Sequence, residues 1–239
     1  MTTPIHLQAT APLAERVLLP GDPGRALLLA QALLDGPKMF NHSRGLWGYT
    51  GVAADGALLT VQSTGMGGPS AAIVIVELAM LGARQLIRVG TCGALEPSLK
   101  LGDLVIATEA ISADGTSRLL SGAQRLAGDP QLLQALTAAA GGAAVAGVIA
   151  STDLFYDGPD ERRLRDAGAV AVEMETATLF ALAARRGLQA ASVLTVSDLL
   201  FPERARIDPE ALHEAERRLG ELAVAALQRE PRPQPLARD

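Results

Sequence analysis

Short aliphatic runs alternate with longer Ala- and Leu-rich stretches along the 239 residues of this chain. The short runs are rich in β-branched and aliphatic residues, which is typical of buried strands, whereas the longer stretches have the length and composition of helices. The pattern predicts strands over 16–19, 47–52, 57–63, 85–89, 103–109, 145–150 and 190–196. It predicts helices over 24–34, 69–81, 130–140, 174–186 and 209–228. This alternation indicates an α/β domain with a largely parallel or mixed sheet.

Prolines and glycines support the predicted helix ends. Prolines stand at or near three predicted helix starts, where a residue without an N–H removes no helical hydrogen bond. Glycines follow two predicted helix ends, where the left-handed backbone of a C-cap favours them. The residues concerned are Pro69, Pro130, Pro209, Gly82 and Gly187. We expect one domain over 1–228 and a disordered, Pro-rich tail over 229–239.

Composition narrows the class of protein. Hydrophobic residues make up 49% of the chain but aromatic residues only 3%, so the core is expected to consist of Ala, Val, Leu and Ile. A net charge of −5 gives no global basic field for nucleic acid, and a small anion would need local arginines. A single cysteine, Cys92, fits a reducing compartment. With no secretory signal and no apolar run of about 18 residues, we expect a soluble, cytoplasmic protein without membrane partners.

Four loops follow predicted strands in equivalent positions. Three are rich in glycine and one ends in an aspartate: PGDPGR (20–25), STGMGGPS (63–70), GTCGAL (90–95) and TVSDLL (195–200). In an open α/β sheet, the loops at the carboxyl ends of the strands meet in one crevice, which is where ligands bind. The sequence therefore predicts one composite site.

The first loop could hold an anion. Gly21 supports a tight turn with backbone N–H groups, and Arg25 falls in the first turn of the following helix. Arg88 and Thr91 add a guanidinium and a hydroxyl near the end of another strand. The alternative is that the glycines only turn the chain and that Arg25 is a solvated surface residue. The loop lacks the Walker-A lysine and the G-x-G-x-x-G spacing, so neither ATP nor NAD is indicated.

Three carboxylates stand near the predicted crevice. Glu173 and Glu175 are two residues apart and point to different sides. Either their negative charges stabilise the positive N-terminal end of the following helix, or one of them accepts hydrogen bonds from a ribose diol. Asp198 ends an apolar strand, where partial desolvation would let it act as an acid near neutral pH, although it could equally start a turn or cap a helix. Phe155 is either a platform for a planar ring or ordinary packing. The chain has no metal-binding motif, and we expect no metal.

Seven segments in this order resemble the nucleoside phosphorylase family, which includes bacterial purine nucleoside phosphorylases and uridine phosphorylases. They span residues 17–198 and read VLLPGDPGRA, NHSRGLWGYTG, STGMGGPSAAI, IRVGTCGAL, STDLFYDG, VEMETATLFALA and LTVSD. The resemblance implies a three-layer α/β/α fold with a central mixed sheet. It implies a homo-oligomer with active sites shared between subunits, for which we expect a hexamer built from dimers. It also implies no cofactor, with inorganic phosphate as a co-substrate.

The resemblance also assigns roles to residues. Gly21, Arg25, Arg88 and Thr91 would bind phosphate, and Arg44 would reach the phosphate of the neighbouring subunit. Asp198 would be the catalytic acid that protonates N7 of a purine. The nucleoside would contact the VEME segment, Ser197 beside the acid, and residues from other loops and from the neighbouring subunit. These nucleoside-binding residues are His6, Met66, Phe155, Val172, Glu173, Met174, Glu175 and Ser197.

Three alternatives remain to be separated from a purine nucleoside phosphorylase. Uridine phosphorylases share the glycine-rich loops and a segment similar to DGTS (114–117), but they carry a uracil-reading insert before the EME motif, which is short here and lacks glutamine. Hydrolytic nucleosidases do not need the phosphate arginines. A non-catalytic nucleoside-binding protein would bind without turnover. The motifs favour a purine nucleoside phosphorylase.

One departure concerns the partner of Asp198. Related purine phosphorylases commonly place an arginine downstream of the aspartate, and the expected position holds another residue in this chain. Arg204 or Arg206 could substitute for it.

Overall fold

Strands and helices alternate along the chain, as the hydrophobic pattern predicts. The computed structural model describes residues 3–156, 158 and 160–228, so the predicted tail lies outside the described residues. The strands are β1 (Arg16–Leu19), β2 (Asp35–Asn41), β3 (Gly48–Val52), β4 (Leu58–Gln62), β5 (Gln85–Ala94), β6 (Leu104–Ala113), β7 (Arg125–Ala127), β8 (Ala144–Thr152), β9 (Ala171–Glu173), β10 (Gln189–Leu199) and β11 (Ala205–Arg206). The helices are α1 (Pro23–Leu33), α2 (Gly68–Leu81), α3 (Gly115–Ser121), α4 (Pro130–Ala140), α5 (Glu161–Asp166), α6 (Thr176–Arg186) and α7 (Pro209–Leu227).

Every strand and helix predicted from the sequence is present, and the structure adds shorter ones. β7, β9 and β11 have three residues or fewer, and β2 exposes five of its seven residues, so none of them carries a readable apolar period. Asp114 and Asp160 directly precede the short helices α3 and α5, and their carboxylates cap them. Local pairing and capping, rather than hydrophobic period, define these elements.

The strands form one mixed sheet that partly closes on itself. From β11 the order is β10, β6, β8, β9, β5, β1, β4, β3 and β2, with β7 beside β6. β10 also pairs in parallel with β5, from Gln189 opposite Gln85 to Leu199 opposite Ala94. Five strands (β10, β6, β8, β9 and β5) therefore form a closed ring, and β1 to β4 extend from it as an open mixed sheet. The sequence predicts the mixed sheet but not its closure.

Helices cover both faces of this sheet. On one face, α2 and α6 pack on a core that includes Leu86 of β5 and Leu194 of β10. On the other face, α1, α4 and α7 pack on Ile87 and Val193, the neighbouring residues in the same two strands. Successive residues of a strand point to opposite faces, so both strands are buried on both sides. The predicted single-domain, three-layer α/β/α fold is confirmed.

The helix ends follow the predicted chemistry. Aspartates precede the proline at the start of α1, α4 and α7, and their carboxylates accept hydrogen bonds from the first free N–H groups of each helix. Gly82 and Gly187 end α2 and α6 in the left-handed conformation, with φ of 114° and 65°. No helix within the described residues is long and apolar enough to cross a membrane.

Candidate active site

The loops at the carboxyl ends of the strands lie against one another. The N–H of Thr64 donates to the carbonyl of Pro20 at 2.9 Å, and the N–H of Gly65 donates to that of Gly21 at 3.0 Å, which joins the first two glycine-rich loops. β5 and β10 run side by side through the other two loops, with Thr91 opposite Thr195. The four segments predicted to share a crevice are therefore adjacent, although 90–94 and 195–199 belong to β5 and β10 and are not loops.

Arg88 stands at the centre of this region and is almost fully buried. Its Nε lies 2.8 Å from Oε2 of Glu173, and its Nη2 lies 2.5 Å from Oε2 of Glu175. Burial alone would lower the pKa of the guanidinium, but the carboxylates of Glu175 and Glu173 outweigh it and raise the pKa. The third nitrogen, Nη1, is buried and has no hydrogen-bond partner within the described part of the chain.

The free nitrogen of Arg88 faces the first loop. A Cβ atom built on Gly21 would lie 4.0 Å from Arg88 Nη1 and 3.2 Å from the carbonyl oxygen of Gly65. A buried donor without a partner costs free energy unless a ligand or water satisfies it. Arg88 therefore keeps one guanidinium nitrogen beside Gly21 that can donate a hydrogen bond to a bound anion or water.

Arg25 of α1 is a second buried arginine near Glu175, and a carboxylate of α7 holds it in place. It is buried, and its Nε contacts Oε1 of Glu216 in α7 at 2.6 Å. Its positive charge reaches Glu175, where it opposes the rise in pKa that burial causes. Two of the loop amides expected to bind an anion are already occupied, because Asp22 accepts hydrogen bonds from the N–H groups of Gly24 and Arg25 at 3.1 and 3.0 Å. These two N–H groups donate within the loop itself and are not free for an anion, contrary to what the glycine pattern suggests.

The two glutamates of the VEME segment have different surroundings. Glu173 is fully buried and accepts hydrogen bonds from Arg88, from the hydroxyl of Ser151, and from the N–H groups of Glu175 and Thr176. The hydroxyl of Ser151 in turn accepts from the N–H of Ala177 at 2.8 Å, so both side chains stabilise the start of α6. Because protein donors occupy both oxygens of Glu173, its predicted contact with a nucleoside has no support in this geometry.

Glu175 points toward the second glycine-rich loop. Its Oε1 accepts a hydrogen bond from the N–H of Gly67, and its Oε2 binds Arg88. The pKa of Glu175 is raised. Burial is the largest cause and Glu173 adds to it, and together they outweigh Arg88 and the Gly67 amide, which lower the pKa. Of the two glutamates, Glu175 therefore lies at the crevice, flanked by the half-buried Met174.

Asp198 lies within β10, one residue before the strand ends, and not at a helix start. The Ser197 hydroxyl donates to its Oδ2 at 2.7 Å. β11 pairs with β10 so that Arg206 lies opposite Asp198, with Nε 3.9 Å from Oδ1. Arg204 instead pairs with Glu161 of α5. Of the two arginines considered as partners of Asp198, the structure brings Arg206 to it.

Several predicted site residues have side chains that make no hydrogen bond or ion pair, within the described residues, with Arg88, Glu173 and Glu175, which we call the Arg88 cluster. The side chains of Met66 and Phe155 are strongly exposed, and Phe155 packs edge-on against Tyr156 with ring centroids 4.9 Å apart. Arg44 is exposed and has a left-handed backbone, with φ of 58°. Within the described residues, neither Arg44 nor His6 hydrogen-bonds to the Arg88 cluster.

His6 is held by Glu77 of α2. Its Nδ1 lies 2.7 Å from Oε1 of Glu77, and the same carboxylate accepts hydrogen bonds from the N–H groups of residues 5–7. Thr91 and Val172 remain half-buried beside the crevice. The roles of all these residues stay predictions.

Sequence analysis missed three side chains that support the site: Ser151, Glu77 and Glu216. Glu216 offered a signal, because it falls at helical spacing with the buried Leu219 and Ala223 and is therefore a charge on the apolar face of α7. Glu77 offered a similar signal, because it is the one charged residue in the apolar sequence of α2, whereas Ser151 gave none. Across the described residues, no group of three or more His, Cys, Asp or Glu side chains is placed to hold a metal.

Comparison with known proteins places the chain in a family. A family model described as "Phosphorylase superfamily" matches residues 15–229. The chain belongs to the phosphorylase superfamily. Two curated relatives carry the name "Purine nucleoside phosphorylase DeoD-type". That of Geobacillus kaustophilus (strain HTA426) is 42% identical over 202 residues, covering 81% of this chain and 85% of the relative. That of Caldanaerobacter subterraneus subsp. tengcongensis is 42% identical over 212 residues, covering 84% and 90%.

A third relative of the same name, from Bacillus cereus (strain B4264), is 39% identical over 206 residues, covering 82% of this chain and 87% of the relative. The resemblance seen in the motifs is thereby confirmed. Membership of the phosphorylase superfamily fits the Arg88 cluster, since a buried arginine with a free nitrogen beside a glycine-rich loop suits an anionic co-substrate.

Proposed function

We propose that this chain is a purine nucleoside phosphorylase, a pentosyltransferase that reversibly converts purine ribo- or deoxyribonucleosides and phosphate to the free base and (deoxy)ribose 1-phosphate. The observation that carries the proposal is Arg88, whose buried Nη1 is unsatisfied beside Gly21 while its Nη2 binds Glu175. An anion and a sugar hydroxyl can thus be held side by side. The names of the relatives support the purine base.

Phosphate binds, on this proposal, to Arg88, Arg25 and the Gly21 loop, with the hydroxyl of the half-buried Thr91 within β5. Arginine is suited to this task because its planar guanidinium offers paired N–H donors to phosphate oxygens. Arg44 completes the site of a neighbouring subunit. Its exposure in a single chain is what such a shared role requires.

The nucleoside lies over Glu175, whose carboxylate accepts hydrogen bonds from the two ribose hydroxyls. Met66 and Met174 line the sugar, His6 from the neighbouring subunit contacts its 5′-hydroxyl, and the base lies near Asp198. Phe155, Val172 and Ser197 border the base. The exposed Phe155 ring has the free face that stacking on a purine needs.

The reaction then follows from the arrangement of charges. The bond between C1′ and N9 of the purine lengthens, its electron pair moves into the base, and the ribosyl group becomes oxocarbenium-like. Asp198 donates a proton to N7, which makes the base a better leaving group. A phosphate oxygen bonds to C1′ from the opposite face, and the bound anion stabilises the positive sugar. Arg206, opposite Asp198, stabilises the carboxylate left after proton transfer. No cofactor takes part.

The proposal includes a cytoplasmic homo-oligomer that shares its sites, with a hexamer built from dimers as the assembly. Within the described residues, His6 pairs with Glu77 and neither His6 nor Arg44 hydrogen-bonds to the Arg88 cluster, which supports shared sites. Size-exclusion chromatography with light scattering tests the assembly. A monomer that turns over nucleosides at the full rate would contradict it.

Phosphate dependence separates this function from its alternatives. Inosine, adenosine, guanosine and uridine are incubated with the protein at increasing phosphate, and base release is measured. We expect purine release only when phosphate is present. Release without phosphate would indicate a hydrolytic nucleosidase, activity on uridine alone a uridine phosphorylase, and binding without turnover a non-catalytic protein.

A further inference from the structure

The two arginines proposed to bind phosphate share an unusual form of support. Each is buried, and each is bound through its Nε by a carboxylate from a different element. Arg88 Nε lies 2.8 Å from Glu173 at the end of β9, and Arg25 Nε lies 2.6 Å from Glu216 in α7. All four side chains expose less than a tenth of their surface.

Glu173 is itself fixed. Its two oxygens accept from Ser151, from two backbone N–H groups at the start of α6, and from Arg88. No oxygen remains for a ribose hydroxyl, whereas Glu175, two residues later, reaches the crevice. A carboxylate held by four different groups cannot reorient, so it acts as a rigid acceptor for Arg88 Nε.

Binding through Nε determines where the rest of the guanidinium points. The group is planar, so fixing Nε and the side-chain stem fixes the direction of the two Nη atoms. For Arg88, this leaves Nη1 buried and unpartnered beside Gly21. Arg25 has the same restraint from the α7 side, and its charge reaches Glu175. Arg88 binds Glu175 directly and the charge of Arg25 acts on the same carboxylate, so both arginines belong to one region.

We propose that Glu173 and Glu216 are positioning residues that orient Arg88 and Arg25 for phosphate, and that neither of them contacts the nucleoside. This inference rests on the proposed function. A donor that is already oriented binds its ligand without first losing side-chain freedom, which favours both affinity and catalysis. Glutamine at either position keeps an oxygen that accepts from Nε, whereas alanine removes it.

The test measures phosphate and nucleoside separately. Binding of inorganic phosphate is followed by titration calorimetry, and KM is determined for phosphate and for inosine. We expect Glu216→Ala to raise the Kd and KM for phosphate by about tenfold while the KM for inosine changes by less than about threefold. Glu216→Gln is expected to restore the phosphate constants to within about threefold of the wild type. The exposed Glu221 of the same helix gives the matched control, Glu221→Gln, with no change expected.

Glu173 is tested with conservative substitutions, because alanine at this position would leave several buried donors without an acceptor and can prevent folding. Glu173→Gln keeps one acceptor oxygen, and Ser151→Ala loosens the carboxylate from one side only. We expect Ser151→Ala to raise the phosphate KM severalfold and to leave the inosine KM unchanged, with Glu173→Gln closer to the wild type. A rise in the inosine KM with an unchanged phosphate KM would assign Glu173 to the nucleoside and overturn the proposal.

Tighter phosphate binding by the Glu216 variants would also overturn it, because the carboxylate would then compete with phosphate for Arg25. Unchanged constants in every variant would do the same. A wild-type protein that binds phosphate but releases base without it would reject the proposed phosphorolysis, while the calorimetry would still report on the arginines. Both the proposed function and this inference would be rejected only if the wild-type protein bound no phosphate.

Discussion

Gly90 lies in β5, two residues beyond Arg88, and the guanidinium of that arginine folds back over it. A methyl group on residue 90 would lie 2.7 Å from Arg88 Nη2 and 2.8 Å from Cζ. Non-bonded atoms of this kind prefer separations of about 3.5 Å or more, so Gly90→Ala must displace the guanidinium by roughly 0.7 Å. That displacement disturbs the contacts of Nε and Nη2 with Glu173 and Glu175, which are 2.8 and 2.5 Å long in the native protein.

The expected cost of this displacement is large. Breaking a buried ion pair leaves an uncompensated charge in the protein interior and typically costs about 3–5 kcal/mol. Because the guanidinium of Arg88 shifts without being removed, we expect Gly90→Ala to lose about 3 kcal/mol of unfolding free energy. Urea denaturation measures this loss. We also expect the KM for phosphate to rise by about tenfold or more, because Nη1 no longer faces Gly21.

Gly93→Ala is the matched control in the same strand. Its methyl group would lie 3.0 Å from Leu200 Cδ1, the end of a flexible side chain, and Arg88 is not among its nearest neighbours. We expect this variant to lose about 1 kcal/mol or less and to keep its phosphate KM. The reasoning is refuted if Gly90→Ala unfolds within about 1 kcal/mol of the wild type and retains its phosphate KM.

Three further predictions concern other parts of the site. Asp198→Asn is expected to reduce kcat on purine nucleosides by about 100-fold or more, because an amide cannot supply the proton, and to leave phosphate binding intact by calorimetry. Arg206→Ala is expected to lower kcat by about threefold, a small effect because the Arg206 side chain is exposed to solvent. Arg204→Ala is expected to leave kcat unchanged, because Arg204 pairs with Glu161 and not with Asp198. An equal effect of the two variants on kcat would contradict that assignment. Although burial acts to raise the pKa of Glu77, hydrogen bonds from the His6 ring and the N-terminal backbone lower it below the ordinary 4.5. The lowered pKa means that stabilisation is present above pH 4.5 and is lost as the pH falls through the lowered value. Urea denaturation should therefore show Glu77→Gln less stable than the wild type at pH 7, with the difference shrinking in acid; a constant difference would exclude this linkage.

The sequence predicted the layers of the fold well because long apolar segments carry a clear period. It ended β5 at residue 89 and β10 at residue 196, whereas the strands extend to Ala94 and Leu199. Glycines within 90–93 have low strand propensity, but the two strands pair along this length and supply each other's hydrogen bonds. The ends of β5 and β10 are therefore set by their pairing with each other and not by local composition.

The site was predictable in its residue types and less so in their partners. The spacing of Glu173 and Glu175 showed that they point to different sides, but only the fold shows which of them meets Ser151 and which meets Gly67. The partner of Arg25 lies 191 residues away along the chain. Contacts over such separations leave no local pattern, so the support of the arginines could not be inferred from the motifs.

The closed ring of strands has a consequence for the dynamics of the site. β5 and β10 are paired on both edges, since β5 lies between β10 and both β1 and β9, and β10 lies between β5 and both β6 and β11. Their central amides can exchange with solvent only when several strand pairings open together, so their hydrogen exchange should be among the slowest in the molecule. Binding sites usually draw on the least stable parts of a fold. In this chain the strand that bears Arg88 belongs to the most protected part, and the opening that admits a ligand must come from the loops above the ring.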